Sequence, residues 1–212
     1  MESPVCPPDT RLIETLRWDG AALVRLERHL ARARASAAAL GFRWDDAGVR
    51  ATLARVGGAA PLRVRLTVGQ DGGTDLTTAP LGPTAAEWRV ALAPERLNPD
   101  DPFLRHKTTQ RARYDAARAA LPEGIDEFVF ANTRGEVCEG TITNVFFDRG
   151  AGLCTPPLTS GCLPGVLRAE LIGAGRCREA VLPVADLALV TLWVGNSLRG
   201  LIRARLVPPS GS

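Results

Sequence analysis

The chain has 212 residues, of which 45% are hydrophobic and 23% charged, and its formal net charge is +3. That is an ordinary globular composition, with length enough for one large domain or two small ones around a real core. The charge is too small and the arginines too scattered for a nucleic-acid partner, and no apolar stretch reaches membrane-spanning length.

Thr10 to Trp18 alternates loosely and predicts a strand. Asp19-Gly20 is a hairpin signal, so a short partner strand through Arg25 is expected. Leu26 to Leu40 reads as a helix: Leu26, Leu30, Ala33, Ala37 and Leu40 share one face, and Gly41 stops it. Asp45 to Val56 reads as a second helix, closed by Gly57-Gly58. Leu62 to Val68 and Thr74 to Ala79 flank Gln70-Asp71-Gly72-Gly73 and predict a hairpin. Leu81-Gly82-Pro83-Thr84 is the candidate linker.

The second half opens with a strand over Trp88 to Ala93, and a loop rich in Asn, Pro and Asp leads to Lys107. Thr108 to Leu121 predicts a helix stopped by Pro122, and Glu127 to Ala131 a strand. A turn at Asn132-Thr133-Arg134-Gly135 precedes a strand region from Val137 to Phe147. Cys154 to Pro164 reads as loop, and Gly165 to Ile172 as a helix with Pro164 suited to its first turn. Strands are expected near Cys177–Leu182, Leu189–Val194 and Leu201–Val207. Pro208 to Ser212 reads as a loose tail, and Met1 to Asp9 is expected to carry no secretion signal.

Among 26 lysine and arginine residues, Lys107 is the one lysine. Arginine keeps its proton and cannot act as an amine nucleophile. Any amine chemistry from a side chain therefore falls to Lys107, with a pKa lowered by burial and a nearby cation. With His29 and His106 the only histidines, a histidine metal site is not expected, and nothing like GxSxG supports a serine triad. Cys6, Cys138, Cys154, Cys162 and Cys177 lack CxxC spacing and read as free thiols of a reducing cytoplasm.

Four segments then stand in a telling order. They are Ile13-Glu14-Thr15-Leu16-Arg17 with His29-Leu30-Ala31-Arg32; His106-Lys107-Thr108-Thr109-Gln110-Arg111; Gly135-Glu136-Val137-Cys138-Glu139-Gly140-Thr141-Ile142-Thr143-Asn144-Val145-Phe146; and Gly161-Cys162-Leu163-Pro164-Gly165-Val166-Leu167-Arg168. From residue 11 onward the chain resembles the class IV aminotransferases, the fold-type IV pyridoxal-phosphate enzymes. Branched-chain aminotransferases, D-amino-acid aminotransferases and aminodeoxychorismate lyases belong to that group. The resemblance implies an α/β (α+β) protein with a small N-terminal α+β domain over residues 1–83. A larger, strand-rich domain over residues 84–212 would carry the lysine, with pyridoxal 5'-phosphate lying between the two.

By the same resemblance Lys107 holds the cofactor's aldehyde as a Schiff base; otherwise it is a surface lysine beside a helix start. Glu139 matches the carboxylate that faces the pyridine nitrogen and keeps it protonated; otherwise it is a solvated strand-end glutamate. Arg32 matches the arginine that grips the phosphate, in a stretch that also carries Arg25, Arg28 and Arg34. Gly165, Val166 and Leu167 match the helix start that seats the phosphate, where free N–H groups and the dipole suit an anion; a plain loop-to-helix junction has the same composition. Ser197, after Asn196, matches the end of the phosphate cup. Asn144 either braces the loop near Glu139 or stabilises a turn. Arg17, Arg63 and Arg111 are candidates for substrate carboxylates.

The match has departures. The lead-in before Ile13 is shorter than in the family, so an opening strand pair is expected to be missing, and the loop of the second hairpin reads as short. Branched-chain aminotransferases carry a tyrosine five residues after the lysine, where this chain has Ala112, and Tyr114 stands seven after. Lys107-Thr108-Thr109-Gln110-Arg111 is closer to the lyase-like pattern. The resemblance thus implies first a 4-amino-4-deoxychorismate lyase, making 4-aminobenzoate and pyruvate for folate synthesis. An aminotransferase of branched-chain or D-amino acids comes second, and a shortened non-catalytic relative that binds a phosphorylated ligand third. The implied partners are a small amino-acid-like substrate and a second copy in a cytoplasmic homodimer, with no metal, nucleic acid or membrane.

Overall fold

Residues 6–208 are described by a computed structural model. Residues 1–5 and 209–212, which hold part of the expected signal-free start and most of the expected tail, lie outside the described residues. The chain divides into two compact units, Met1–Pro83 with His106–Gln110, and Thr84–Arg105 with Arg111–Ser212. The segment around Lys107, expected with the second half, therefore packs with the first.

In the first unit, β1 (Leu12–Trp18), β2 (Leu62–Val68) and β3 (Thr74–Pro80) form an antiparallel sheet in that order. Leu12 lies opposite Val68, and Val68 opposite Thr74. Strand alternation sends Leu12, Leu16, Val64, Leu66 and Val68 into one core with Leu30, Ala37 and Leu40 of α1 (Leu26–Leu40) and Val49 and Leu53 of α2 (Asp46–Leu53). Gly41 ends α1 at φ 72°, a conformation that glycine adopts without a Cβ penalty. Asp45 caps α2 by accepting the Gly48 N–H at 3.0 Å.

The expected strand through Arg25 does not form. Asp19 Oδ1 accepts the N–H groups of Ala21 and Ala22 and makes the turn, but beyond it Leu23 meets Trp18 as an isolated bridge and not as a strand. Arg25, at φ 59°, launches α1 directly. On its other edge β1 receives the lysine segment: Ile13 N–H donates to the Lys107 carbonyl at 2.7 Å, and Thr109 N–H to the Arg11 carbonyl at 2.9 Å. Those bonds keep residues 107–109 extended, so the helix predicted from Thr108 starts later.

That helix, α3 (Ala112–Ala119), belongs to the second unit. Its strands are β4 (Glu87–Leu97), β5 (Glu127–Asn132), β6 (Val137–Gly140), β7 (Asn144–Asp148), β8 (Leu153–Thr155), β9 (Arg178–Glu179), β10 (Thr191–Asn196) and β11 (Gly200–Leu206). They run in the order β10-β11-β4-β5-β6-β7-β8-β9, and β10 also pairs with β7. That extra pairing closes β4, β5, β6, β7, β10 and β11 into a barrel, with β8 and β9 extending from it. Val90, Val129, Val145, Phe147, Leu192, Val194 and Ile202 share its main core. The region expected as loop from Cys154 contains the end of β8 and a 3₁₀ turn at Leu158–Ser160. Helix α4 (Val166–Gly173) follows, with Gly165 rather than Pro164 at its cap. No helix among the described residues is long and apolar enough to cross a membrane.

Candidate functional site

Lys107 is half-buried, and its backbone is fixed by β1. Two further bonds anchor its segment: His106 Nδ1 lies 3.0 Å from Ser36 Oγ on α1, and Gln110 Nε2 donates to Thr10 Oγ1 at 3.0 Å. The backbone of the candidate amine is thus held on both sides.

Arg32 lies in the same unit and is held by a residue the sequence did not mark. Its Nε and Nη2 donate to the two carboxylate oxygens of Glu14 at 2.9 and 2.6 Å, a fork-on-carboxylate geometry. His29 Nδ1 lies 2.6 Å from Glu14 Oε2. Burial pushes the Glu14 carboxyl up, but the Arg32 charge and the hydrogen bonds from His29 and Arg32 outweigh it, and its pKa falls to about 2. The Nε–Nη2 edge of the guanidinium is spent on Glu14, which leaves the Nη1 side for an anion. On the other sheet face Arg17 and Arg63 stand directly opposite each other in β1 and β2. Like charges so placed are unfavourable, and Arg17 Nε is buried without a hydrogen-bond partner among the described residues.

In the second unit the sequence-marked residues Glu139, Asn144 and Gly165 come together. Glu139 and Asn144 are register partners at the β6–β7 turn. Glu139 Oε2 accepts the Leu163 N–H at 2.9 Å, and Asn144 Nδ2 donates to the Leu163 carbonyl at 2.9 Å. Glu139 Oε1 accepts the Tyr114 hydroxyl at 2.6 Å. The turn between the strands is tied down by Glu127, fully buried, which accepts from the N–H and hydroxyl of Thr141, the Ile142 N–H and the Thr143 hydroxyl. Burial raises the Glu127 carboxyl, opposed by those donors and by Arg118. Arg111 spends Nε on Asp115 and Nη2 on the Thr141 carbonyl.

Leu163 leads into α4. Its cap, Gly165, has no side chain to accept the first-turn N–H groups, and Val166 and Leu167 are buried. A buried helix start with unspent donors is a seat for an anion. A Cβ on Gly165 would collide with Asn144 Oδ1, so the close approach needs glycine. Gly165→Ala is expected to destabilise the protein by about 1–3 kcal/mol, read by denaturant unfolding. An unchanged midpoint would show that Asn144 can swing aside at no cost. Ser197 is buried after β10, and Gly195 packs on Leu167 of α4. Burial pushes the Cys162 thiol up to about 12 and raises Cys138 as well, so neither is a thiolate nucleophile at neutral pH. All five cysteines are free, and no group of potential metal ligands occurs among the described residues.

The donor set suits pyridoxal phosphate. In the first unit one primary amine fits an aldehyde and a clamped arginine fits a phosphate; in the second an uncapped helix start fits a phosphate and a carboxylate with fixed donors fits a ring N–H. Sequence reasoning missed Glu14, Tyr114 and Glu127. Glu14 is a polar residue inside a strand pattern, a signal in itself, and Tyr114 was noted only for its distance from the lysine, whereas Glu127 carried no signal.

Comparisons with known proteins agree. The chain is 30% identical over 178 residues to a candidate aminodeoxychorismate lyase of Schizosaccharomyces pombe, covering 81% of this chain and 77% of that protein. It is 31% identical over 130 residues to the aminodeoxychorismate lyase of Saccharomyces cerevisiae, covering 52% of this chain and 33% of that one. A crystal structure of a candidate amino-acid aminotransferase from Mesorhizobium loti superposes with a TM-score of 0.90 at 47% identity, over 94% of this chain and all of that one. The family profile of class IV amino-transferases matches residues 11–207, and this chain belongs to that family of pyridoxal-phosphate-dependent enzymes.

Proposed function

We propose that the protein is a 4-amino-4-deoxychorismate lyase, releasing 4-aminobenzoate and pyruvate, and that it works as a homodimer in the cytoplasm. The observation that carries the reading is the likeness to a lyase relative across most of both chains. Ala112, where branched-chain aminotransferases carry a tyrosine, supports it.

When bound, pyridoxal phosphate supplies an aldehyde that condenses with amines and a ring that takes up electron density from the carbon beside the substrate nitrogen. Lys107 supplies the amine that holds the cofactor between turnovers. Once the substrate amine has taken that place, Lys107 Nζ accepts the proton from the carbon bearing it. Glu139 accepts the ring N–H and keeps that proton on the ring. Arg32, the first-turn N–H groups of Val166 and Leu167, and Ser197 donate to the phosphate, and Gly165 gives that turn its clearance. Asn144 holds the Leu163 peptide. Arg17 and Arg63 receive substrate carboxylates, a role supported by their facing charges and the unpartnered Arg17 Nε. Arg111, already bonded to Asp115 and Thr141, is the weaker candidate for that work.

A second reading, an amino-acid aminotransferase, is favoured by the 47% identity to the Mesorhizobium loti protein. One assay separates the two. Incubation with aminodeoxychorismate is expected to produce the fluorescence of 4-aminobenzoate, which a Lys107→Ala control lacks. Accumulation of pyridoxamine phosphate with amino acids, and no aminobenzoate, would establish the transaminase instead.

A further inference from the structure

Glu139 would act on the cofactor ring only if its carboxylate were held still and kept ionised. Two donors reach it from different elements. The Leu163 N–H bonds Oε2 from the loop leading to α4, and the Tyr114 hydroxyl bonds Oε1 from the first turn of α3. One donor on each oxygen fixes the plane of the group as well as its position. At 2.6 Å the tyrosine bond is short, as expected where the acceptor is charged.

Tyr114 is itself well held. Its ring meets Phe130 edge to face with centroids 5.3 Å apart, and the Arg111 guanidinium lies 5.7 Å from its centroid. Phe130 is fully buried in β5, so the phenol is braced against the barrel wall. Burial and the Glu139 charge push the phenol up, opposed by Arg113 and reinforced by Cys138, so the hydroxyl stays a neutral donor at any working pH.

We propose that Tyr114 is the positioning residue of Glu139: its hydroxyl locks the carboxylate in the orientation that receives the ring N–H. The inference rests on the reading that Glu139 faces the ring nitrogen. Tyr114 touches neither cofactor nor substrate in this role and acts only through Glu139.

The test is a double-mutant cycle on the full-length protein with Tyr114→Phe, Glu139→Gln and both together. It reads the pyridoxal-phosphate dissociation constant by titration, and kcat beside it. Losing a hydrogen bond to a charged group is expected to weaken cofactor binding about tenfold in Tyr114→Phe and to lower kcat by a similar factor. In the Glu139→Gln background the same change is expected to add less than about twofold, because the acceptor's charge is already gone. Additive effects would mean that Tyr114 only packs, and would overturn the inference; so would a Tyr114→Phe variant that binds and turns over normally. If Glu139→Gln alone changed neither quantity, the reading of Glu139 would fall and the inference with it. Tyr114 is the one tyrosine in the chain, so its signal can be read without assignment. Should Tyr114→Phe not fold, the tyrosine Cζ signal of the cofactor-free protein still decides. At neutral pH its chemical shift is expected to differ between Glu139→Gln and the parent, because the charged acceptor of the hydroxyl is gone, and an unchanged shift overturns the inference.

Discussion

Lys107→Ala is expected to lower turnover by at least about a thousandfold, and Lys107→Arg by as much, while the protein stays folded. The loss follows from chemistry that no other side chain here can supply. All other strong bases in the chain are arginines, whose guanidinium groups neither condense with an aldehyde nor give up a proton near neutral pH. Folding is spared because the segment is held by its backbone and its neighbours. The Lys107 carbonyl accepts from Ile13, Thr109 donates to Arg11, and Gln110 reaches Thr10, and none of these bonds uses the lysine side chain. The variants are checked by thermal melts beside aminobenzoate assays. Borohydride reduction of the cofactor-loaded parent, followed by peptide mapping, is expected to place the label at Lys107. A Lys107→Arg protein that kept even a tenth of parental turnover would remove the lysine from the mechanism.

What could be read from the sequence was what local pattern decides. Helix α1 runs over the predicted residues because its apolar face repeats at helical spacing and Gly41 supplies a left-handed stop. β2 was legible because Val64, Leu66 and Val68 alternate with polar residues. Long-range pairing decided the rest. Asp19-Gly20 does turn the chain, but the strand that answers β1 lies beyond α1 and α2. Thr108 has good helical neighbours, yet its stretch is captured as an extended edge on β1, which moves the start of α3 to Ala112. The closure of β10 onto β7 likewise depends on a partner far along the chain. The ordered motifs marked Lys107, Glu139 and Gly165, but motifs name residues that face a ligand better than those that hold them. Glu14, Glu127 and Tyr114 hold others, and which polar side chain a fold buries against another is set by tertiary contacts.

Glu14 is the supporting residue whose removal is expected to weaken the first unit most. Truncating it to alanine is expected to cost about 3–5 kcal/mol of stability, the usual penalty for breaking a buried ion pair from one side. Exposed pairs elsewhere offer the contrast: Arg50 and Glu27 also join through two hydrogen bonds, but with 40% and 71% of their side chains exposed, water and salt screen the pair and it adds little. Glu14 is 3% exposed and Arg32 12%, so the loss leaves a largely buried guanidinium facing a void where its acceptor stood. The pH dependence has a definite sign. The carboxyl titrates at about 2 in the folded chain against an ordinary 4.5. A depressed acid stabilises the fold above the unfolded-state value and loses that contribution as the pH falls through the folded value. The stability gap between the parent and Glu14→Gln should therefore be widest near neutrality and shrink as the pH falls from about 4.5 towards 2. Denaturant unfolding at a series of pH values measures it, and a gap that stayed constant into strong acid would show that Glu14 acts by packing and not by charge. Because the same carboxylate occupies the Nε–Nη2 edge of Arg32, the alanine variant should also bind pyridoxal phosphate more weakly while binding phosphate-free pyridoxal almost as before, which ties the arginine's orientation to the anion it is held to receive.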